Sequence, residues 1–316
     1  MPTRIAILDD YQGVALQYAD WSSLPNCEIQ VFTAHIADST ILGAALRDFD
    51  VVVAMRERTR FDAARLAALP RLRLLVTTGM GNTAIDMDAA RRQGITVCGT
   101  GSGSRATSEL AWGLLLALAR AIPAEDARLR AGGWQQTIGV ELQGRTLGLV
   151  GLGNQGRAMV PVARAFGMDV IAWSQNLTAE AARAAGVEAV DKETLFRRAD
   201  FVSVHYKLGP RSVGLVGAAE LALMRPEAFL INTSRGPIVD TPALLAALHA
   251  GRIAGAGLDV YDTEPLPADD PLRSAPRTIL TPHLGYVSDR AYRVFYPEAV
   301  ADIAAFLEGQ PVRVLN

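Results

Sequence analysis

The stretch Thr146-Leu147-Gly148-Leu149-Val150-Gly151-Leu152-Gly153-Asn154-Gln155-Gly156-Arg157 decides the fold. An apolar run of strand character enters a turn patterned with glycine, and the turn opens a helix. Gly151 permits the tight turn, Gly153 lets the backbone approach a pyrophosphate, and Gly156 allows close packing of helix on strand, while the unpaired N–H groups at the helix start favour phosphate charge. A chain with 28 glycines also produces this spacing by chance, so the surroundings carry the reading. Met159 to Phe166 continues as an apolar helical pattern, Gly167 ends it, and Asp169-Val170-Ile171-Ala172-Trp173 supplies the next strand. This strand, helix, strand order predicts a dinucleotide site.

Working outward, strand-like runs alternate with helical patterns along nearly the whole chain. Before the glycine motif they fall at Arg4 to Leu8, Glu28 to Thr33, Val51 to Ala54, Leu72 to Thr77 and Ile95 to Val97; after it at Phe201 to His205, Phe229 to Thr233, Gly257 to Tyr261 and Thr278 to Thr281. Such alternation predicts an α/β fold with parallel sheets. Ser104 to Arg120 reads as one long helix and Ser288 to Leu307 as another. At 316 residues the chain exceeds the usual size of one hydrophobic core, so two domains are expected. The nucleotide unit begins only near residue 100, so an equally large α/β region precedes it.

The formal net charge of −2 with half the residues hydrophobic leaves no electrostatic footprint for nucleic acid or an anionic membrane. The longest apolar stretch, Leu110 to Ala119, is too short to span a bilayer. Cys27 and Cys98 are too few for a disulfide framework or a metal cluster, and the N-terminus runs straight into a strand. A cytoplasmic protein that holds no metal is the expectation.

The chemistry gathers at three strand ends. Phe229 to Thr233 runs into Ser234-Arg235-Gly236, Gly257 to Tyr261 into Asp262-Thr263-Glu264-Pro265, and Thr278 to Thr281 into Pro282-His283-Leu284-Gly285. Ligands of open α/β sheets bind outside the carboxyl ends of the strands, which puts Arg235, Glu264 and His283 where a substrate lies. A cation, a carboxylate and an imidazole suit reduction of a 2-oxo acid. Arg235 can grip the carboxylate and polarise the ketone, His283 can deliver a proton to the nascent alkoxide as hydride arrives, and Glu264 would stabilise the protonated imidazole. The other histidines, His35, His205 and His249, read as structural or solvated.

The segments Val76-Thr77-Thr78-Gly79-Met80-Gly81-Asn82, Gly151 to Gly156, Ile231 to Pro237, Gly257 to Pro265 and Thr281 to Gly285 together resemble the D-isomer-specific 2-hydroxyacid dehydrogenase family, in order and over essentially the full chain. The resemblance implies two doubly wound parallel-sheet domains: a Rossmann-type cofactor domain, residues 100–285, inserted into a flavodoxin-like substrate domain, residues 1–99 and 286–316, with a cleft between them and a homodimer as the assembly. It assigns Arg235, Glu264 and His283 to the catalytic trio and the Thr78, Gly79, Met80 and Gly81 loop to the substrate carboxylate. It assigns Thr107 and Asp259 to NAD or NADP, with Asp259 on the nicotinamide carboxamide; Gly151, Gly153, Asn154, Gln155 and Gly156 of the glycine turn, and Ser174, Gln175, Asn176 and Thr233 at strand ends, are the other residues expected at the cofactor. Hydrogen bonding of Asp259 to neighbouring backbone is the competing reading.

The chain departs from the family pattern in places. Trp173 is followed by Ser174-Gln175-Asn176, with neither a carboxylate to repel a 2′-phosphate nor an arginine to attract one. Lys207 stands where relatives commonly have proline, and either serves NADP or is a solvated loop lysine. Asn154 and Gln155 replace a common arginine-isoleucine pair. Arg56 and Arg58 read as surface charges that could instead reach an acidic or phosphorylated substrate, and Met80 and Tyr286 as pocket or core cover. The leading expectation is a glyoxylate or hydroxypyruvate reductase. Glu264, in place of an amide, disfavours a formate oxidiser. The alternatives are a phosphoglycerate dehydrogenase without a regulatory domain, since the chain stops at Asn316, and a dinucleotide-sensing protein related to corepressors, whose extended tails are missing here.

Overall fold

The computed structural model describes residues 1–102 and 105–316. The chain divides into two compact units, Met1–Ser104 with Ser288–Asn316, and Arg105–Val287. The second unit thus interrupts the first in sequence.

The first unit is built on strands β1 (Thr3–Ile7), β2 (Cys27–Val31), β3 (Val51–Ala54), β4 (Leu74–Thr77) and β5 (Thr96–Gly99), all parallel, in the order β2-β1-β3-β4-β5. This is the doubly wound order of flavodoxin-like sheets. Its central strands are buried on both faces, which is why β3 and β4 read as unbroken apolar runs. Ala6, Val52, Leu75 and Val97 face one apolar cluster, which includes Leu42, Leu46, Phe61 and Leu66. The C-terminal helix Asp289–Leu307 belongs to this unit and buries Tyr292, Phe295, Tyr296, Ala299 and Ile303. Beyond it the C-terminal tail lies along β5: Cys98 bridges Val314, and Leu315 N–H donates to Val97 O.

The second unit carries β6 (Thr146–Val150), β7 (Asp169–Trp173), β8 (Glu188–Ala189), β9 (Phe201–Val204), β10 (Phe229–Asn232), β11 (Gly255–Leu258) and β12 (Thr278–Leu280). They form one parallel sheet in the order β12-β11-β10-β9-β6-β7-β8, with the strand order reversing between β6 and β9. The period of two sorts its core: Val150, Val202, Val204, Leu230 and Leu258 face one cluster, and Leu147, Leu149, Phe201, Phe229 and Ile231 the other. The helix Ala106–Ala119 packs on this sheet with Ala111, Trp112, Leu114 and Leu115 buried.

The differences from the sequence expectations are local. The long helix is described from Ala106 to Ala119, and its expected start at Ser104 lies outside the described residues. A further helix, Ile122–Arg130, follows at once behind Ala121, which sits in the left-handed region. The β11 ladder is Gly255–Leu258 rather than Gly257 to Tyr261. Small residues let Gly255 start the strand, where a Cβ would lie 2.5 Å from Arg277 O. Asp259 then turns its carboxylate toward the loop after β12. β8 has two residues, too few for any periodicity to show.

Candidate active site

The glycine turn closes where β6 feeds the helix Asn154–Ala165. Gly151 has φ +101°, and a Cβ there would stand 2.7 Å from His205 O, so only glycine lets the turn lie against the end of β9. At Gly156 a Cβ would collide with Gly151 O, and the helix therefore rests directly on the turn. Gly153 instead faces open space. As the residue before the helix it offers no side-chain cap, so the N–H groups of the first helical turn at Asn154, Gln155 and Gly156 point outward. Among the described residues, Gln155 Oε1 and Thr233 Oγ1 are buried atoms without a hydrogen-bond partner, both at carboxyl ends of the sheet. These features fit a dinucleotide at this edge.

His205, at the end of β9, is bound through Nε2 to Ser203 Oγ at 2.9 Å, and burial lowers its pKa to about 4. It is a neutral structural residue. Ser174, Gln175 and Asn176 follow β7 in a turn closed by Leu177 N–H on Ser174 O, with Gln175 and Asn176 exposed. Trp173 stacks on Tyr206 with ring centroids 6.0 Å apart, while Lys207 projects into solvent.

Across the sheet, β10, β11 and β12 are neighbours and all run the same way. Arg235 follows β10, and its Nη1 donates to Ser234 O. Asn232 holds the Arg235 carbonyl through Nδ2 at 3.0 Å. At Gly236 a Cβ would strike the Tyr261 backbone, so the β10 and β11 loops touch there. His283 Nδ1 lies 2.5 Å from Glu264 Oε2. A carboxylate accepts only, so Nδ1 carries the proton and Nε2 is left for exchange with a reactant. Glu264 is held in turn by Tyr261 N–H on Oε1 at 2.9 Å. Both side chains are largely covered, 18% and 27% exposed.

Asp259 fixes the loop that carries the imidazole. It is fully buried and accepts from Thr281 Oγ1 (2.6 Å), Leu284 N–H (2.7 Å) and Gly285 N–H (2.8 Å). Burial raises its carboxyl pKa, against those three hydrogen bonds and the nearby His283. Thr107 Oγ1 donates to Gly285 O at 2.7 Å, and Tyr261 O–H donates to Thr281 O at 2.9 Å. His283 itself sits at φ +53°, a conformation that needs such support. Thr281 and Tyr261 were absent from the sequence expectation, since residue type alone does not show which neighbour a hydroxyl or an amide meets.

The Thr78–Gly81 loop belongs to the first unit, at the end of β4. Thr78 N–H donates to Ala54 O and Gly79 N–H to Thr100 Oγ1, while the Met80 and Gly81 amides meet no acceptor among the described residues. Arg56 is not a loose surface charge: its N–H donates to Thr78 Oγ1, its Nη1 to Thr78 O, and the guanidinium covers Gly79. Arg58 likewise donates to Asp9 O and lies over the Tyr11 ring. His35 pairs with Asp9 at 3.0 Å, and His249 is exposed at a helix end. Met80 is 56% exposed, and Tyr286 meets the His283 ring edge to face at 5.3 Å.

Residues 112–285 match the D-isomer specific 2-hydroxyacid dehydrogenase, NAD binding domain. The chain belongs to this dehydrogenase family. It is similar to the glyoxylate reductase of Thermococcus litoralis, 37% identical over 287 residues that cover 87% of this chain and 86% of that enzyme. The D-3-phosphoglycerate dehydrogenase of Methanocaldococcus jannaschii is 36% identical over 84% of the chain, which spans about half (51%) of that longer protein. Among solved structures, a phosphoglycerate oxidoreductase of Vibrio cholerae superposes with a TM-score of 0.93 at 36% identity, over 97% of this chain and 99% of that one. The dehydrogenase is thus an oxidoreductase that uses a nicotinamide dinucleotide and interconverts 2-oxo and D-2-hydroxy acids. Among the described residues no helix is long and apolar enough to cross a membrane.

Proposed function

We propose that the chain reduces a small 2-oxo acid of the glyoxylate or hydroxypyruvate type, with His283 as the proton donor. The observation that carries this reading is the 2.5 Å contact between His283 Nδ1 and Glu264 at the carboxyl edge of a sheet whose opposite half holds the glycine turn. The nicotinamide dinucleotide, when bound, supplies the hydride. Arg235 engages the substrate carboxylate and polarises the ketone, and Nε2 of His283 gives its proton to the new hydroxyl oxygen. Glu264 holds the imidazole by Nδ1 so that Nε2 faces the reactant, and the amides of Met80 and Gly81 bind carboxylate oxygen. Asp259 acts first by holding the Thr281–Gly285 loop, with a nicotinamide contact as a second role. Gly151, Gly153, Asn154, Gln155, Gly156 and Thr233 receive the dinucleotide. Thr107 closes the site from the start of its helix.

Ser174, Gln175 and Asn176 offer neutral donors and acceptors to the adenosine ribose, so both NADH and NADPH serve, with a modest preference. A cytoplasmic homodimer is part of the reading. It is supported by the helix Ile122–Arg130, which buries no residue, and by Leu129, Trp134 and Ile138 nearby, 58%, 73% and 99% exposed. Such a run of large apolar groups suits a second copy of the chain. Sedimentation that returns a single 33.7 kDa species would remove the dimer.

Turnover followed by nicotinamide absorbance over a panel of 2-oxo acids, with each cofactor, tests the whole proposal. Glyoxylate and hydroxypyruvate should lead. A lead by 3-phosphohydroxypyruvate would favour the phosphoglycerate reading, and cofactor binding without turnover of any acid would favour a dinucleotide sensor.

A further inference from the structure

We infer that Thr100 is a positioning residue for the substrate, acting through the Thr78–Gly81 loop. The inference rests on that loop receiving the substrate carboxylate, as proposed above.

The loop leaves β4 with Gly79 at φ +96°, a conformation glycine alone adopts freely, so its backbone needs outside fixing to hold one orientation. Three sets of contacts supply it. Arg56 covers Gly79 and grips Thr78 from above. Asn82, 6% exposed, anchors the far end, donating through Nδ2 to Thr77 Oγ1 at 2.9 Å and to Arg56 O at 2.6 Å, while Oδ1 accepts from Ala84 N–H. Thr100, fully buried at the end of β5, supplies the third: its Oγ1 accepts from Gly79 N–H at 2.9 Å and donates to Gly101 O at 3.1 Å. The hydroxyl proton is committed to Gly101, so the oxygen faces Gly79 as an acceptor.

This contact selects which amides meet the ligand. Without Thr100 Oγ1, Gly79 N–H would be a further donor in the loop, competing for carboxylate and free to tilt the peptide. With it, Gly79 is withdrawn, and the Met80 and Gly81 amides define a narrower cradle. Thr100 is itself braced. Its N–H donates to Thr77 O, the next amide, Gly101 N–H, donates to Glu298 Oε2 at 2.6 Å, and Arg313 Nη2 holds the Glu298 carbonyl at 2.8 Å. Gly99 lies so close beneath that a Cβ would be 2.7 Å from Gly79 O. The β5 end and the substrate loop are thereby one packed block, and the hydroxyl is the adjustable contact in it.

The test compares Thr100→Val, which keeps the shape and removes the acceptor, with Thr100→Ser, which restores it. In the full-length protein, steady-state kinetics with the best 2-oxo acid should show KM raised about tenfold in Thr100→Val, a change of about 1.4 kcal/mol, with kcat altered far less. Thr100→Ser should return KM to within about twofold of wild type. NAD(P)H affinity by fluorescence and the thermal midpoint identify a variant that has simply lost its fold; if Thr100→Val has, Thr100→Ala against Thr100→Ser carries the same comparison. Wild-type KM in the variant lacking the hydroxyl, or equal damage in Thr100→Ser, would overturn the role of Thr100. Failure of the wild-type protein to turn over any 2-oxo acid would instead overturn the underlying functional reading.

Discussion

The two halves of the second sheet's carboxyl edge are built on different principles. At β10, β11 and β12 the loops are tied by charged and hydroxyl side chains: Glu264 to His283, Asp259 to three donors of the loop after β12, Thr107 to Gly285. At β6, β7 and β9 the edge is shaped by backbone approach, with Gly151 against His205 and Gly156 against Gly151, and the three residues that follow β7, Ser174, Gln175 and Asn176, are neutral. Each half contributes a histidine, and the two differ in the way the proposed function requires of a proton donor and a structural group. His283 has a carboxylate on one nitrogen. His205 has a serine hydroxyl and a pKa held down to about 4 by burial. Under the proposed function the β10–β12 half is the chemical one, which needs fixed charge geometry, and the other is the dinucleotide half, which needs room for a backbone and phosphate to meet.

The largest expected effect breaks the chemical half. His283→Ala should lower kcat by on the order of a hundredfold or more, while NAD(P)H titrated by fluorescence binds as before. Unaltered turnover would mean that the proton comes from elsewhere.

Asp259→Asn tests whether that half depends on its buried ties. The amide keeps one acceptor and turns a donor toward groups that already donate, at a cost of about 1–3 kcal/mol. The His283 loop should loosen, with kcat falling roughly tenfold or more and the thermal midpoint falling with it. A variant with normal kcat and weakened NAD(P)H binding would show that Asp259 serves the nicotinamide in preference to the loop.

The other half is probed by pH. The folded-state pKa of His205 is depressed to about 4 from an ordinary 6.5, so the unfolded chain takes up a proton that the folded one refuses. The stabilisation is present above pH 6.5 and is lost as pH falls toward 4. His205→Gln retains a partner for Ser203 without titrating, so its melting temperature should fall less steeply between pH 6.5 and 4.5, with a difference of a few degrees by differential scanning calorimetry. Parallel curves would place the proton uptake on another group.

Much of this edge was legible in the chain, for reasons that differ by residue. Gly151 and Gly156 declare themselves because only glycine tolerates their contacts, and the strand, helix, strand period around them fixes the context. Arg235, Glu264 and His283 stand out as charged groups directly after apolar runs. The ties among them did not show. Asp259 is equally placed in sequence to bond a cofactor or a backbone, and its three donors, at Thr281, Leu284 and Gly285, arrive from the loop after β12, 22 to 26 residues away. Arg56 looked like a surface charge because its partner, the Thr78 carbonyl, carries no side-chain signature. The start of β11 at Gly255 was hidden by glycine and alanine, which have low strand propensity and are accepted there for close approach.

The smallest expected effect concerns the turn after β7, where the sheet edge commits itself least. Ser174 is half-buried, and Gln175 and Asn176 are exposed, all three without charge. Ser174→Asp would set a carboxylate where the ribose hydroxyls lie, adding a bidentate acceptor for a free 2′-hydroxyl and repulsion against a 2′-phosphate. The ratio of kcat/KM for NADH over NADPH should rise about tenfold, in keeping with one added charge contact of about 1.4 kcal/mol, while kcat with the preferred cofactor stays near wild type because the chemical half is untouched. Lys207→Ala separates a second contributor: a selective loss with NADPH places the lysine at the phosphate, and an equal effect on both cofactors places it away from the ribose. An unchanged ratio in Ser174→Asp would show that this turn does not face the adenosine ribose, and the division of the edge into a chemical half and a dinucleotide half would then have to be redrawn around β6 and β9 alone.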